Sequence, residues 1–325
     1  MKEKILEIIK ESMDFVSGEE ISKSLGVSRA AIWKHMKALK EEGYIIEAVS
    51  KKGYKLLKSP DLLTPKEVLP LINTRFIGRE IIYFDVTDST NNVARQYAME
   101  GFSEGLVVIA EEQTKGKGRL GRPWETKSRQ SIAFSVVLRP FIKPQDAPGI
   151  TIVLGTAVCR ALRNITSLKA GIKWPNDVII NGKKVCGILT EMSSEADAVN
   201  YIIAGVGINV NTSDFPEELK NIATSLKIEG KKEYERRVLL AEVLYQLESL
   251  YKDFKEQGLK NILEEFKSYS VTLNKRVKAA SIKGTIEGLA CDITGEGLLV
   301  IRLDNGEERK IVSGDVSVRG LGTYV

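Results

Sequence analysis

Residues 111–124 read Glu-Glu-Gln-Thr-Lys-Gly-Lys-Gly-Arg-Leu-Gly-Arg-Pro-Trp, and the rest of the chain is organised around this stretch. It follows an apolar run at 106–110, which predicts a buried strand. Three glycines and four cations fall within residues 115–122. Glycines let a backbone approach a ligand closely, and cations at this density repel one another unless an anion lies among them. We therefore predict a loop that binds a negatively charged, phosphate-bearing ligand, against the alternative of a solvated basic turn.

Two familiar signatures occur in the chain, but their context excludes both. The spacing Gly116-x-Gly118-x-x-Gly121 matches the dinucleotide-binding pattern GxGxxG, yet Pro123 and the residues after it do not begin a helix. Residues 101–105, Gly-Phe-Ser-Glu-Gly, match the nucleophile elbow GxSxG. The single histidine of the chain is His35. The sequence after it therefore contains no histidine that could complete a Ser–His triad or bind a metal.

Composition indicates an ordinary globular protein of two or three domains. The chain has 325 residues, of which 43% are hydrophobic and 28% charged, with a net charge of +5. Its three cysteines show no CxxC spacing, which predicts free thiols in a reducing cytoplasm. No apolar run is long enough to span a bilayer, and the charged N-terminus does not resemble a signal peptide. We therefore expect a cytoplasmic location and no membrane partner.

The first 60 residues predict a winged helix-turn-helix. Apolar residues at helical spacing predict helices over 1–14 and 19–25, and Ser28 is a good N-cap for a third helix that runs to about residue 42. Two strand patterns then flank a basic tip at residues 51–53. Two helices joined by a short turn and followed by a hairpin are typical of DNA-binding domains.

The charge of this region supports DNA binding over a plain three-helix packing unit. Five Lys or Arg and no acidic residue lie between Ile21 and Lys40. Trp33 borders the predicted buried stripe of the third helix, so core packing competes with a base contact for its side chain. One module offers few phosphate contacts, which predicts a dimer on two half-sites. The candidate DNA-binding residues are Ser28, Arg29, Ala30, Trp33, Lys34, Lys37, Lys51 and Lys52.

The remainder predicts two further domains. Mixed strand and helix patterns between residues 64 and 272 predict an α/β domain with a mixed sheet. Its predicted helices include 64–72, 146–164, 234–256 and 259–269. Short strands separated by Gly and Asp predict a small β-barrel over 273–325. The predicted fold class is therefore α+β multidomain, with domains at 1–60, 64–272 and 273–325.

Two more stretches are candidates for a binding site. In residues 171–177, Gly-Ile-Lys-Trp-Pro-Asn-Asp, Lys173 occupies an apolar strand and must either find an anion or extend its ammonium to water. Residues 205–211, Gly-Val-Gly-Ile-Asn-Val-Asn, combine glycines that permit close approach with amides that direct hydrogen bonds. The alternative for this second stretch is a strand with a bulge.

Five motifs together resemble those of the biotin–protein ligase family. They are Asp88-Ser-Thr-Asn91, Gln113-Thr-Lys-Gly-Lys-Gly-Arg-Leu-Gly-Arg-Pro-Trp124, Lys173-Trp-Pro-Asn-Asp177, Gly187-Ile-Leu-Thr-Glu191 and Gly205-Val-Gly-Ile-Asn209. With the leading winged helix, the chain is similar to the bacterial ligases that also repress biotin genes. Lipoate ligases share the fold but lack this arginine–glycine loop. The resemblance implies a class II synthetase-like catalytic domain and an SH3-like C-terminal barrel.

The activity that this resemblance implies has two steps. Biotin and ATP form biotinyl-5′-adenylate, and a lysine of a biotin carboxyl carrier domain, as in acetyl-CoA carboxylase, then takes the biotin. The implied cofactors are ATP, biotin and Mg²⁺ brought by ATP. Other implied partners are operator DNA and a second copy of the chain in a ligand-promoted homodimer. The alternatives are a lipoate-type ligase and a non-enzymatic regulator that senses a small anion.

The resemblance also assigns site residues. Lys173 and Arg119 would be catalytic, meeting the biotin carboxylate and the α-phosphate, and Arg122 would help with the ATP phosphates. Lys117 stands where many relatives have arginine, which keeps the charge but loses the planar fork. The residue that covers the adenine is not identified by any motif. The implied biotin- or adenylate-binding residues are Ser89, Thr90, Asn91, Gln113, Gly116, Lys117, Gly118, Arg119, Arg122, Trp124, Lys173, Asn176, Gly187, Gly205 and Asn209.

Overall fold

The chain divides into two compact units, Met1–Leu62 and Leu63–Val325, and each is described by itself. The structure is a computed structural model that describes residues 1–281, 284–313, 317–320 and 324. Residues 283 and 314–316, which belong to short strands predicted within 273–325, lie outside the described residues. Within the described parts of the chain, no helix has the length and apolar character needed to cross a bilayer.

The N-terminal unit contains three helices and a hairpin. The helices are α1 (Lys2–Glu11), α2 (Gly18–Leu25) and α3 (Arg29–Glu41), and strands β1 (Ile45–Val49) and β2 (Gly53–Lys58) pair antiparallel. This arrangement confirms the predicted winged helix-turn-helix.

Local chemistry explains the turn between α2 and α3. Gly26 ends α2 in the left-handed conformation, with φ of 66°, which suits glycine. The Ser28 hydroxyl then accepts a hydrogen bond from the Ala31 amide at 3.2 Å and caps α3, as predicted. Ile32, Met36 and Leu39 are buried, whereas 62% of the Trp33 surface is exposed. A core position for Trp33 is therefore wrong: its side chain borders the buried stripe of α3 but faces solvent.

The second unit is built on a seven-stranded mixed sheet. Its order is β3-β4-β5-β9-β8-β7-β6, in which only β3 and β4 are parallel neighbours. This sheet confirms the predicted mixed α/β architecture. The strands are β3 (Ile81–Thr87), β4 (Val107–Gln113), β5 (Ser131–Leu138), β6 (Gly171–Lys173), β7 (Asp177–Ile180), β8 (Lys183–Ser194) and β9 (Val199–Asn209).

Helices cover both faces of this sheet. Side chains alternate along β4 and β5, so that Val107 and Val136 join the large core while Val108 and Val137 face α5. Nearly all of α6 is buried, which is why its sequence is apolar on every side. The helices of the unit are α4 (Pro65–Val68), α5 (Thr90–Met99), α6 (Pro148–Thr166), α7 (Leu226–Gly230), α8 (Arg236–Gln257) and α9 (Leu263–Tyr269).

Two predicted helices are shorter than expected. The pattern at 64–72 becomes α4 and a 3₁₀ turn at Leu69–Leu71, because Pro70 has no amide hydrogen to continue the helix. The helix predicted from 259 begins only at Leu263. Gly258 ends α8 with a φ of 63°, and a turn occupies the residues between the two helices.

A separate five-stranded antiparallel sheet closes the described chain. Its order is β13-β12-β11-β10-β14, which agrees with the small β domain predicted there. It is joined to the larger sheet through Trp174, whose indole Nε1 donates to the Gly297 carbonyl at 3.0 Å. The strands are β10 (Arg276–Ser281), β11 (Gly284–Ile293), β12 (Leu299–Arg302), β13 (Glu308–Ile311) and β14 (Ser317–Gly320).

A buried ion pair holds the base of the 111–124 stretch. Arg236, at the start of α8, is completely buried, and its Nη1 lies 2.6 Å from Oε2 of Glu111, which is 2% exposed. The Glu111 carboxylate also accepts hydrogen bonds from the Leu63 amide at 3.3 Å and the Arg129 amide at 3.1 Å. One carboxylate therefore joins the first residue of the unit, the end of β4, the approach to β5 and the start of α8.

We expect Glu111→Gln to destabilise the second unit by about 3–5 kcal/mol, because the substitution leaves the Arg236 guanidinium buried without a counter-charge. Urea unfolding followed by tryptophan fluorescence measures the loss. A Trp33→Phe background removes the reporter of the N-terminal unit and leaves Trp124 and Trp174, both in the second unit.

The control is Glu217→Gln, which removes an exposed carboxylate 2.6 Å from Lys220. Its cost should stay within about 1 kcal/mol. An equal effect of the two substitutions would contradict the role given to Glu111.

Candidate functional site

Two adjoining cavities lie where the 111–124 stretch crosses the sheet. The larger has a volume of about 360 Å³ and the smaller about 40 Å³. Both are lined by Gly118, Arg119, Trp124, Asn176 and Lys184, so they form one continuous surface.

Buried amides and hydroxyls surround the smaller cavity. The Gln113 Oε1 accepts hydrogen bonds from the Thr90 amide at 2.8 Å and from its hydroxyl at 3.2 Å. The Gln113 Nε2 donates to the Thr126 hydroxyl at 3.1 Å. These contacts fix the orientation of the Gln113 amide at the end of β4. Ser89 and Thr90 are each only 3% exposed at the start of α5.

A second network of hydrogen bonds positions the Asn91 side chain beside the same cavity. Its Nδ2 donates to Oε2 of Glu191 at 2.6 Å, while Nη2 of Arg95 lies 2.6 Å from the other oxygen of that carboxylate. The Ser135 hydroxyl lies 2.6 Å from Asn91 Oδ1. A Cβ at Gly205 would lie 2.1 Å from this Oδ1, so glycine is required for the Asn91 side chain to reach the sheet.

The Trp124 indole lies on two glycines of neighbouring strands. A Cβ at Gly207 would lie 2.3 Å from the indole, and one at Gly187 would lie 3.0 Å from it. Trp124 Nε1 is buried and has no hydrogen-bond partner among the described residues. The glycines predicted as sites of close ligand approach thus admit this indole, and Trp124 lines both cavities.

Lys173 provides a buried cation in the larger cavity. Its side chain is on β6 and is 6% exposed, so the ammonium is buried within the site and does not extend over the outer surface. Burial lowers the pKa of Lys173 to about 8; Asp177 opposes this shift, and Lys184, Arg319 and Arg122 add to it. A buried ammonium with three neighbouring cations favours a bound anion.

Arg119 leaves the glycine loop and crosses the cavity. Its guanidinium donates to Asn176 Oδ1 at 2.9 Å and also to the Ser313 carbonyl of the C-terminal sheet. The other end of Asn176 is fixed by a 2.9 Å hydrogen bond to the Ile188 carbonyl. Asn209, at the end of β9, donates to the Thr224 carbonyl at 3.1 Å.

All but one of the residues predicted for ligand binding line these cavities. The exception is Gly116, where a Cβ would lie 2.3 Å from the Trp124 carbonyl oxygen. Arg122, Lys173 and Asn209 line the larger cavity. The smaller is lined by Ser89, Thr90, Asn91, Gln113, Lys117, Gly118, Arg119, Trp124, Asn176, Gly187 and Gly205.

Several residues that line the larger cavity were not predicted, and four of them carry charged or aromatic side chains that bear on the site. These four are Lys184, Phe215, Arg319 and Tyr324. Lys184 belongs to a Lys-Lys pair that resembles a solvated hairpin end. The other three lie outside the five motifs, and their distance in sequence gives no signal that they meet Lys173.

The N-terminal unit presents a separate basic surface. Arg29, Trp33, Lys34 and Lys37 are exposed on α3. Arg29 also pairs with Glu19 at 2.8 Å. The remaining predicted DNA-facing residues are exposed as well; they are Ser28, Ala30, Lys51 and Lys52.

Comparison with known proteins matches the whole architecture. Residues 83–209 match the biotin/lipoate A/B protein ligase family, residues 2–55 match an HTH domain, and residues 272–319 match the biotin protein ligase C-terminal domain. The chain is 39% identical over 307 residues to the bifunctional ligase/repressor BirA of Bacillus subtilis, which covers 94% of each chain. It is 30% identical to the protein of the same name from Escherichia coli, again over 94% of each chain.

Among solved structures, the chain is similar to the biotin protein ligase of Aquifex aeolicus in complex with biotin and ATP. The TM-score is 0.66 at 33% identity, covering 75% of this chain and 100% of the other. The chain therefore belongs to the family of bifunctional ligase/repressors, in which a biotin/lipoate protein ligase domain lies between a helix-turn-helix domain and a biotin protein ligase C-terminal domain.

Proposed function

We propose that this protein is an ATP-dependent biotin–protein ligase that also represses transcription in response to biotin. In the first step the biotin carboxylate attacks the α-phosphate of ATP, giving biotinyl-5′-adenylate and pyrophosphate. In the second, the amine of an acceptor lysine attacks the acyl carbon, forms an amide and releases AMP. The observation that carries this proposal is the continuous surface that runs from buried amides, past an indole, to a cluster of cations.

The polar cluster suits the ureido head of biotin. Ser89, Thr90 and Gln113 offer donors and acceptors in a buried place, and such groups select a ligand that hydrogen-bonds to them. The apolar dithiolane ring of lipoate would form no hydrogen bonds with them. Biotin is therefore the better substrate for this end of the site.

The cations suit the reacting centre. We assign Lys173 and Arg119 to the carboxylate and the α-phosphate, and Arg122 to the phosphates that leave. An acyl-adenylate forms when two anions are brought together, so the main tasks are charge neutralisation and positioning. Neither task needs a histidine, which agrees with a second unit that has none.

The nucleotide would occupy the rest of the larger cavity. Trp124 and Phe215 offer aromatic surfaces to the adenine, and Asn209 offers an amide. Mg²⁺ usually binds through one or two carboxylates together with substrate phosphates. Glu125 and Asp177 are the carboxylates among the described lining residues, and Asp177 is engaged with Lys184, so we assign Glu125 to the ion that ATP brings.

The glycine loop must move when the ligand enters. The smaller cavity, at about 40 Å³, is far below the roughly 300 Å³ of a small ligand pocket. The Trp124 indole covers Gly187 and Gly207 at this place. We infer that residues 116–124 reorganise around the adenylate and that this change favours a homodimer.

We also propose that the chain has three domains, at 1–60, 64–272 and 273–325, and that the protein is located in the cytoplasm.

The ligase proposal is tested by biotin-dependent exchange of labelled pyrophosphate into ATP. The wild-type protein should catalyse exchange with biotin. Lys173→Ala should lower kcat/KM by about 100-fold or more, because it removes a charge that meets the transferring group. Lys252→Ala, which removes an exposed lysine on α8, should have no effect. The proposal would be contradicted if lipoate supported exchange and biotin did not, or if neither acid supported exchange.

The pH dependence of exchange tests the protonation state of Lys173. Its pKa of about 8 means that the ammonium is present below pH 8 and is lost as the pH rises through that value. The wild-type kcat/KM for ATP should therefore fall above pH 8. Lys173→Arg should be less active but lose this alkaline decline, since guanidinium stays charged. An identical decline in both proteins would assign it to another group.

We propose that α3 reads operator DNA and that Lys51 and Lys52 at the wing tip hold phosphates. Lys34 and Lys37 are exposed on the same helix and can reach base edges or phosphates. Adenylate-promoted dimers would present two such helices and tighten DNA binding by linkage.

The DNA proposal predicts that Lys34→Glu with Lys37→Glu weakens binding at least tenfold and reduces the slope of log K against log salt by about one to two. The duplex is one selected from a random pool by the wild-type protein with biotin and ATP, and omission of both ligands should also weaken its binding. Lys4→Glu with Lys10→Glu on α1 makes the same change in charge and should have a small effect. Equal affinity with and without the ligands would remove the regulatory half of the proposal.

A further inference from the structure

The last described residue, Tyr324, enters the site from the C-terminal tail. Its ring lies under the Lys173 ammonium, with Nζ 3.5 Å from the ring centroid. Its hydroxyl donates a 2.6 Å hydrogen bond to Oδ2 of Asp177. Tyr324 therefore contacts both strands of the short hairpin formed by β6 and β7, at the end next to the turn.

Asp177 poses a problem for an anion-binding lysine. It pairs with Lys173 across the β6–β7 ladder, so the two side chains are close to each other. A carboxylate that bound the Lys173 ammonium would neutralise it and repel an incoming carboxylate or phosphate. Burial opposes the charge of Asp177, yet Lys184, the Tyr324 hydroxyl and Lys173 together hold its pKa below the ordinary value. The acid therefore stays ionised inside the site.

The structure directs both oxygens of this acid away from Lys173. Oδ1 lies 2.7 Å from the Lys184 ammonium, and Oδ2 accepts from Tyr324. Within the described part of the chain, Lys173 makes no salt bridge of its own. Its charge is supported by the Tyr324 ring, and a π face attracts a desolvated cation without occupying it as a counter-ion does.

We propose that Tyr324 is a positioning residue of the ligase site: its hydroxyl holds Asp177 apart from Lys173, and its ring directs the Lys173 ammonium to the ligand anion. This proposal rests on the ligase function proposed above. The charged groups that face Lys173 then have different roles. Asp177 is paired with Lys184, whereas Arg122 and Arg319 add positive charge on the side of the cavity.

Tyr324→Phe distinguishes the role of the hydroxyl from that of the ring. It keeps the ring and frees Oδ2 of Asp177 to approach Lys173. The KM for ATP in pyrophosphate exchange should rise roughly five- to tenfold, with a smaller change in kcat. The alkaline decline should move to higher pH, because a closer carboxylate raises the pKa of Lys173. Tyr324→Leu, which also removes the ring, should raise the KM further.

Two further variants distinguish positioning from a general structural effect. In an Asp177→Asn background, Tyr324→Phe should no longer change the KM, since no charged acid remains to be held away. Tyr245→Phe removes a hydroxyl from a half-exposed tyrosine on α8 and should match the wild type. Melting temperatures of all variants check that they fold.

Competitive acetylation of Lys173 across a pH series, read by mass spectrometry, gives its pKa without any need for activity. An upward shift in Tyr324→Phe supports the proposal even if wild-type exchange fails, which would count against the ligase function alone. The proposal is overturned if Tyr324→Phe leaves this pKa and the KM unchanged, if its effect persists in Asp177→Asn, or if removing the tyrosine lowers the KM, as a plug displaced by ATP would predict.

Discussion

The buried ion pair between Glu111 and Arg236 fixes the point from which the glycine loop leaves the sheet. Its guanidinium also donates to the Ser131 carbonyl at 3.0 Å, so the same contact sets the start of the next strand. Two charges removed from water must satisfy each other, which makes their relative position strict. A loop rich in glycine and like charges has little structure of its own, and this anchor places it over the sheet.

The sheet beneath the loop is shaped by what lies on it. Gly205 admits the Asn91 amide and Gly207 admits the Trp124 indole, at distances that a Cβ would make impossible. The absence of side chains at these two glycines of β9 therefore shapes the surface on which the ligand is proposed to lie. Cations then gather at the far end from three directions: the glycine loop, the β6–β8 strands and the C-terminal sheet.

The sequence predicted the parts of this site that are local. Helical spacing and a capping serine predicted the winged helix, and the mixed strand and helix patterns predicted the mixed sheet. Lys173 stood out because an apolar strand has no reason to carry a cation. What could not be predicted depends on chain packing: Arg319 and Tyr324 reach Lys173 across about 150 residues, and no local pattern signals such a meeting. Trp33 was ambiguous because it borders the apolar stripe, and only the packing shows its exposed side.

The central claim is that the buried Lys173 ammonium meets the anion of the adenylate. Calorimetric titration at pH 8 of a non-hydrolysable biotinyl-adenylate, in two buffers of different ionisation enthalpy, measures the protons taken up on binding. A pKa of about 8 predicts uptake of about half a proton per ligand, because the anion stabilises the charged lysine. The Lys173→Arg protein should take up none. Tight binding of the adenylate without proton uptake by the wild-type protein would contradict the account.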